Sequence, residues 1–371
     1  MLDSRRSVFF IIPTLNGGGS ERVIVTLLRH LDRSNFRLTL AVVDTREAVY
    51  RDDVPEDVEF IDLGCVRVRY ALPRIARLIW QRRPDVVFST LGHLNLALAI
   101  IRPLLPDGVR YLARESNIVS EIIRDSCALS IWGWAYRHLY RHLYRRFDAV
   151  VCQSRYMRDD LVVNFALPAE RMVVINNPVD VERILRLAVV PLVTGFEQKN
   201  GSDGNALIHL VSAGRLVQQK GFDLLIEALA LCGDSQLRLT ILGEGPLHGN
   251  LVRLAQYRGV AQQVRFVGFQ KNPYPFFAQA DAFVLSSRYE GFPNVVLEAL
   301  ACRTSVIATP APGGVKEILE HVDGCMVADS VTAEGLAKAI KGMAFGKPLS
   351  ADVVVPYEVK KIVGRYEYEF T

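Results

Sequence analysis

Residues 282–302 read AFVLSSRYEGFPNVVLEALAC. Ala282 to Leu285 is an unbroken apolar run of the kind that forms a buried strand. Asn294 to Cys302 reads as a helix, with Pro293 suited to a first-turn position. Between them stand Glu290 and the turn Gly291-Phe292-Pro293-Asn294, and Glu298 follows eight positions after Glu290. One carboxylate therefore sits on a loop at the carboxyl end of a strand, the other on the first turns of the next helix. In open α/β sheets ligands bind at that edge. A carboxylate there can hold sugar hydroxyls, and the free amides of the helix start favour phosphate. The plainer reading is a solvated loop acid plus a helix-surface acid, and the bare pair does not choose between them.

Upstream, Val211-Ser212-Ala213-Gly214-Arg215-Leu216 and Lys220-Gly221-Phe222-Asp223 have the form strand, Gly-Arg turn, Lys-Gly, amphipathic helix. Arg215 and Lys220 can both reach a diphosphate held at that helix start. Two cations and two anions on strand-end loops suit a nucleotide diphosphate-sugar.

The same alternation runs along the chain. Strands are expected at 8–12, 38–43, 58–61, 85–89, 109–113 and 148–152, with helices at 20–32, 71–83, 94–102, 118–144 and 155–164. It restarts with strands at 207–213, 237–242, 264–267, 282–286 and 304–308. This predicts two doubly wound parallel sheets. The boundaries are a first domain over 1–180, a linker over 181–205, a second domain over 206–350 and a final segment over 351–371. Val193 to Asn205, polar and glycine-rich, reads as a surface loop.

Half of the 371 residues are hydrophobic and 23% are charged, enough for a substantial core. Residues 1–178 carry 25 arginines, no lysine and 20 acids, whereas 179–371 carry 19 basic and 20 acidic residues. The positive excess lies wholly in the first half, where it suits an anionic surface or acceptor, or reflects arginine-rich usage alone. No nucleic-acid partner is expected. Six cysteines without a C-x2-C pair predict reduced thiols and a cytoplasmic protein. The start reads as a poor signal peptide, and no apolar run is long enough to span a membrane.

The segments AGRLVQQKGFDLLIEAL, LTILGEGPL, VRFVGF, FVLSSRYEGFPNVVLEALAC and VIATPAPGGVKEIL, in this order, resemble the C-terminal half of the family-4 retaining glycosyltransferases. The acid pair is similar to their E-x7-E motif. Ile11 to Arg22, with its glycines 17–19, resembles their opening loop. The resemblance implies the GT-B fold, two Rossmann-like domains facing across a cleft, with the final helix crossing back onto the first domain. It implies that Arg215 and Lys220 stabilise the leaving diphosphate, that Glu290 faces the donor sugar beside the amides of Gly291, Phe292 and Asn294, and that Glu298 accepts the ribose hydroxyls. It places Gly245 and Phe269 at the nucleotide base, Gly314 near the phosphates, and Gly18 and Gly19 in an anion nest. The strand-end loops hold no Asp-x-Asp, so no metal and no cofactor are expected. Relatives often carry Glu-His-Ser-Asn on a first-domain loop, but this chain has Arg114-Glu115-Ser116-Asn117. Glu115, Asn117 or His93 then takes the place of the sugar-contacting histidine.

The expected reaction is retaining transfer from a nucleotide-sugar to a polyprenyl-diphosphate-linked or other glycan acceptor in surface-polysaccharide or glycolipid synthesis. The expected place is the anionic inner face of the cell membrane. Ile131 to Arg146 offers aromatics at headgroup level and arginines for phosphates, or else the aromatics pack inside and the arginines face water. His138 and His142 read as part of a basic face, not a metal pair. Competing readings are an epimerase or phosphorylase of the same architecture, a nicotinamide dehydrogenase suggested by Gly243-x-Gly245, and a non-catalytic sugar-binding protein.

Overall fold

The computed structural model describes residues 4–127, 131–191, 207–346 and 349–371. It divides into two compact units, Met1–Pro178 with Val359–Thr371, and Val179–Glu358.

In the first unit the strands are β1 (Arg6–Ile12), β2 (Phe36–Val42), β3 (Glu59–Asp62), β4 (Val86–Thr90), β5 (Arg110–Arg114), β6 (Ala149–Cys152) and β7 (Met172–Val174). Its helices are α1 (Gly19–His30), α2 (Val68–Arg82), α3 (Gly92–Ile101), α4 (Val119–Cys127), α5 (Ile131–Leu143) and α6 (Arg155–Phe165). The sheet is parallel, in the order β3-β2-β1-β4-β5-β6-β7. Helices joining parallel neighbours cover both faces, so β4 and β6 are buried along their whole length. The sequence signal for them is accordingly a short apolar run, Val86 to Phe88 and Ala149 to Cys152, and not an alternation.

The second unit contains α7 (Val181–Ala188), β8 (Ile208–Ala213), α8 (Phe222–Cys232), β9 (Leu237–Leu242), α9 (His248–Tyr257), β10 (Val264–Phe266), α10 (Tyr274–Gln279), β11 (Ala282–Leu285), α11 (Asn294–Ala301), β12 (Val306–Ala308), α12 (Val315–Leu319), β13 (Met326–Val327) and α13 (Ala333–Gly342). Its parallel sheet runs β10-β9-β8-β11-β12-β13. In both sheets the order reverses at the first strand, between β1 and β4 and between β8 and β11. Those reversals are where a doubly wound sheet opens toward a ligand.

Two expectations need correction. Residues 181–188, expected in a linker, are helix α7. Asp180 caps it by accepting from the Arg183 amide at 3.0 Å, and Val181, Ile184, Leu187 and Ala188 pack into the second core. The final segment divides at 358/359. Residues 351–357 wind a 3-10 turn that packs Val354 into the second unit, and only α14 (Val359–Phe370) joins the first. The helical expectation over 118–144 agrees with α4 and α5 on either side of residues 128–130, which lie outside the described residues, as does the loop 193–205.

α14 supplies Ile362, Val363, Tyr366 and Phe370 to the core beside β1, β2 and β4. The Phe370 ring meets Phe88, Phe10 and Phe36 edge-on at centroid distances of 5.4, 5.8 and 6.1 Å. Edge-on packing of this kind adds to the burial of the rings.

Candidate active site

The loops after β8 and β11 flank the reversal point of the second sheet. After β8 the chain makes one 3-10 turn, Gln218–Lys220, and enters α8 through Gly221. Gly221 has φ 62°, and a Cβ there would lie 2.1 Å from the Ser286 carbonyl oxygen. Only glycine permits this approach, and it presses Lys220 against the end of β11. Lys220 Nζ donates to Glu290 Oε1 at 2.6 Å, and Ser287 Oγ donates to the same oxygen at 2.5 Å. On its other side the Glu290 amide donates to the Pro312 carbonyl at 2.9 Å. A Cβ on Gly313 would fall 1.5 Å from the Glu290 carbonyl oxygen, so Gly313, at φ 118°, is also obligatory. The Gly314 amide donates to the Gly291 carbonyl at 3.0 Å. Glu290 is thus clasped from two loops.

Glu290 is 6% and Glu298 4% exposed. Neither is a solvated acid, which removes the plainer reading of the pair. Pro293 is the N-cap of α11, one residue earlier than expected, and Glu298 lies one turn inside. Four residues on, burial pushes the Cys302 thiol up to about 12, and the Glu298 charge adds to the rise. Asn294 opens α11, Phe292 is buried, and both follow Glu290 directly. Arg215 is exposed at the same edge, and its side chain has no hydrogen bond or ion pair among the described residues. Gly245 and Phe269 belong to neighbouring loops: the Phe269 amide donates to Glu244 Oε1 at 3.3 Å, and the ring is 40% exposed. Arg215, Lys220, Glu290, Gly291, Phe292, Asn294 and Gly314 therefore share one edge of one sheet. Sequence reasoning missed Ser287 and the Arg288–Asp223 pair. The signal available was spacing alone, three residues before Glu290 and three after Lys220.

The first sheet's edge departs further from expectation. The Gly18 amide, expected in an anion nest, donates to the Glu21 carboxylate, which also accepts from Thr14 Oγ1 at 2.5 Å. The chain's own acid occupies that amide. Gly19 begins α1. Glu115 does not face outward but is 2% exposed and accepts from Tyr144 and, at 3.2 Å, from Asn95. Burial pushes its carboxyl up to about 7 against the lowering effect of those hydrogen bonds. Asn117 is engaged locally, accepting from the Ile118 amide at 2.9 Å. His93 is exposed at the start of α3, although partial desolvation lowers its pKa, and Asn117 is half-buried, so solvent reaches both of these and not Glu115. The residue before Gly92, Leu91, holds φ 75°, a costly value for a leucine.

The same cluster decides between the two readings of these tyrosines in and after α5. Tyr140 and Tyr144 follow the inward-packing alternative, being 2% and 1% exposed and stacked with centroids 4.4 Å apart. Among the described side chains of this helix Trp134 and Leu139, at 69% and 40%, are the exposed large apolar residues, and Arg137, Arg141 and Arg145 lie on the outside with them. Among the described residues no group of acids, histidines and cysteines has the form of a metal site, and no helix is long and apolar enough to cross a membrane.

Two family models match, one to each unit: "Glycosyltransferase Family 4" over residues 17–183 and "Glycosyl transferases group 1" over residues 208–344. The chain belongs to the glycosyltransferases. Among curated relatives, this glycosyltransferase is 27% identical over 318 residues to the N-acetylgalactosamine-N,N'-diacetylbacillosaminyl-diphospho-undecaprenol 4-alpha-N-acetylgalactosaminyltransferase of Campylobacter jejuni, covering 83% of this chain and 81% of that one. It is 42% identical over 132 residues to the lipopolysaccharide core biosynthesis glycosyltransferase LpsE of Rhizobium meliloti, a match that spans 36% of this chain and 38% of the relative. Among solved structures, HepE of Anabaena in complex with UDP superposes with a TM-score of 0.74 at 18% identity, covering 98% of this chain and 99% of that one. Sucrose-phosphate synthase of Thermosynechococcus elongatus reaches 0.78 at 16% identity, with 98% of each chain covered. These likenesses show the GT-B fold of two Rossmann-like domains. An epimerase is not favoured, since both models describe glycosyltransferases.

Proposed function

We propose that this glycosyltransferase moves a sugar from a nucleotide diphosphate-sugar to a lipid-linked glycan acceptor, with retention at the anomeric carbon and without a metal. The observation that carries the reading is the convergence of Lys220, Glu290 and the exposed Arg215 at the reversal point of the second sheet. As the bond from the anomeric carbon to the diphosphate oxygen breaks, its electron pair stays on the diphosphate. Charge then grows beside Arg215 and Lys220, and fixed cations there act on the transition state more than on the bound donor. Glu290, with two donors already on one oxygen, keeps its second oxygen for a sugar hydroxyl. Glu298 accepts from the ribose, and the amides from Gly291 to Asn294 serve the donor. The undecaprenol-linked and lipopolysaccharide names of the relatives support a lipid-linked acceptor.

The first unit docks on an anionic membrane surface. No acid stands between residues 63 and 84, 91 and 106, or 131 and 147, the stretches that form α2, α3 and α5. Trp80 Nε1 donates to the Leu104 carbonyl at 2.9 Å, which joins α2 to the turn after α3, and both residues are exposed. Arginines around exposed Trp80, Leu104, Trp134 and Leu139 match the requirements of a headgroup region.

The deciding experiment is incubation with a panel of nucleotide-sugars and polyprenyl-diphosphate acceptors, followed by mass analysis and proton NMR of the first linkage formed. Retention with activity that survives chelator is expected. An inverted product would remove the retaining assignment, and full loss in EDTA would remove the metal-free part.

A further inference from the structure

Arg288 and Asp223 play no part in the chemistry above, yet they bridge its two loops. Arg288 donates two parallel bonds to the Asp223 carboxylate, at 2.8 and 2.6 Å, and a third to the Gln218 carbonyl at 2.8 Å. The Arg288 amide donates to the Gln219 carbonyl at 2.7 Å, and Gln219 Nε2 returns a bond to the Tyr289 carbonyl at 3.0 Å. Ser286 Oγ donates to the Lys220 carbonyl at 2.9 Å. The segments 218–223 and 286–290 are thus laced together, with Lys220 on one side of the seam and Glu290 on the other.

An ion pair whose side chains are 28% and 34% exposed contributes little to global stability. A two-point guanidinium–carboxylate contact does fix an angle and a distance. Catalysis by fixed charge depends on just those quantities, because a small misplacement of a catalytic group costs far more in rate than in binding.

We propose that Arg288 and Asp223 are positioning residues, a clamp that holds Lys220 where the leaving diphosphate develops its charge. The clamp acts through the backbone at Gln218 to Lys220 and touches no substrate. Its functional consequence rests on the reading that Lys220 serves the donor.

The test uses the full chain and two readouts. One needs no ligand: the rate at which an amine-reactive acylating reagent modifies Lys220, followed by peptide mass spectrometry. The other is kcat and KM for whichever UDP-, GDP- or ADP-sugar of a panel the wild type turns over. Arg288→Gln and Asp223→Asn are each expected to speed Lys220 labelling about fivefold. They should lower kcat about tenfold and leave donor KM within about twofold. Arg288→Lys, which keeps the charge but cannot make both bonds, is expected to fall between them and the wild type. The exchanged pair Arg288→Asp with Asp223→Arg is expected to recover part of both losses. Labelling and kcat unchanged in Arg288→Gln and Asp223→Asn, or Arg288→Lys equal to the wild type in both, would overturn the clamp. A wild type that turns over no nucleotide-sugar, with labelling still raised in the variants, would sink the donor reading and leave the clamp standing.

Discussion

Replacing Lys220 by methionine keeps most of the stem and deletes the cation 2.6 Å from Glu290. The carboxylate left behind is 7% exposed at its side chain, against 19% for the lysine. Orphaning a charge in a fully buried pair costs ~3–5 kcal/mol. Here Ser287 still donates at 2.5 Å and the lysine side is partly open to water, so ~2–3 kcal/mol is the expected loss. In a unit of 180 residues this lowers Tm by roughly 4–12 °C. Glu290→Gln instead leaves the cation next to water and should cost only ~1 kcal/mol. The double variant has no stranded charge and should regain at least ~1 kcal/mol of what Lys220→Met lost. Activity should follow another rule. All three proteins should lose turnover by ~100-fold or more, since a fixed cation and a sugar-facing acid cannot replace each other. The measurement is guanidinium unfolding with constant m-values beside single-turnover kinetics. Losses that simply add in the double variant, or turnover regained in it, would refute the reasoning.

Glu115 gives a pH prediction. Its carboxyl is pushed from 4.5 up to about 7 by burial. Between those values the folded chain keeps a proton that the unfolded chain has released, so stability falls as pH rises through that window. The component is roughly 2–3 kcal/mol, and Glu115→Gln, which still accepts from Tyr144, should remove it. Denaturation midpoints of both proteins at pH 5 and pH 7.5 check this, and parallel profiles count against it. Liposome co-sedimentation tests the membrane face. Wild type should bind anionic vesicles at low salt and leave neutral ones. Glu at 137, 141 and 145 in place of arginine should release it while a short soluble acceptor is still used. Wild type that ignores anionic vesicles at low salt ends the docking proposal.

The parts of the fold that were legible in the sequence are those whose signal is local. A strand buried on both faces shows as an apolar run, as at Ala282 to Leu285, and the loop-helix unit after it carries its own punctuation in Gly291 and Pro293. The short edge strands β7 and β13 went unread because three or two residues of partly buried backbone leave too little pattern. α7 was hidden by its position after Asn176-Asn177-Pro178, a run that reads as a boundary, although its apolar residues recur at helical spacing. At the site, residue types were legible and directions were not. Tyr136, Tyr140 and Tyr144 share a helix face by spacing, and spacing does not say whether that face meets lipid or Glu115. Glu21 likewise reads as a helix-start acid, yet it closes back on the Gly18 amide and fills the nest beside it.

The placement of α14 has a consequence for how the protein comes into being. Residues 359–370 follow the entire second unit in the chain and yet lie in the core of the first, against Phe10 and Phe88. Domains commonly fold in the order in which they leave the ribosome. Here the earlier one emerges with a gap where Tyr366 and Phe370 belong, and the gap stays open while 180 further residues are added. At about 5–20 residues per second that interval is roughly 10–40 s. The second unit has all its own strands by then and can settle first. The nascent first unit is the one that must be kept from sticking to its neighbours until α14 closes its core.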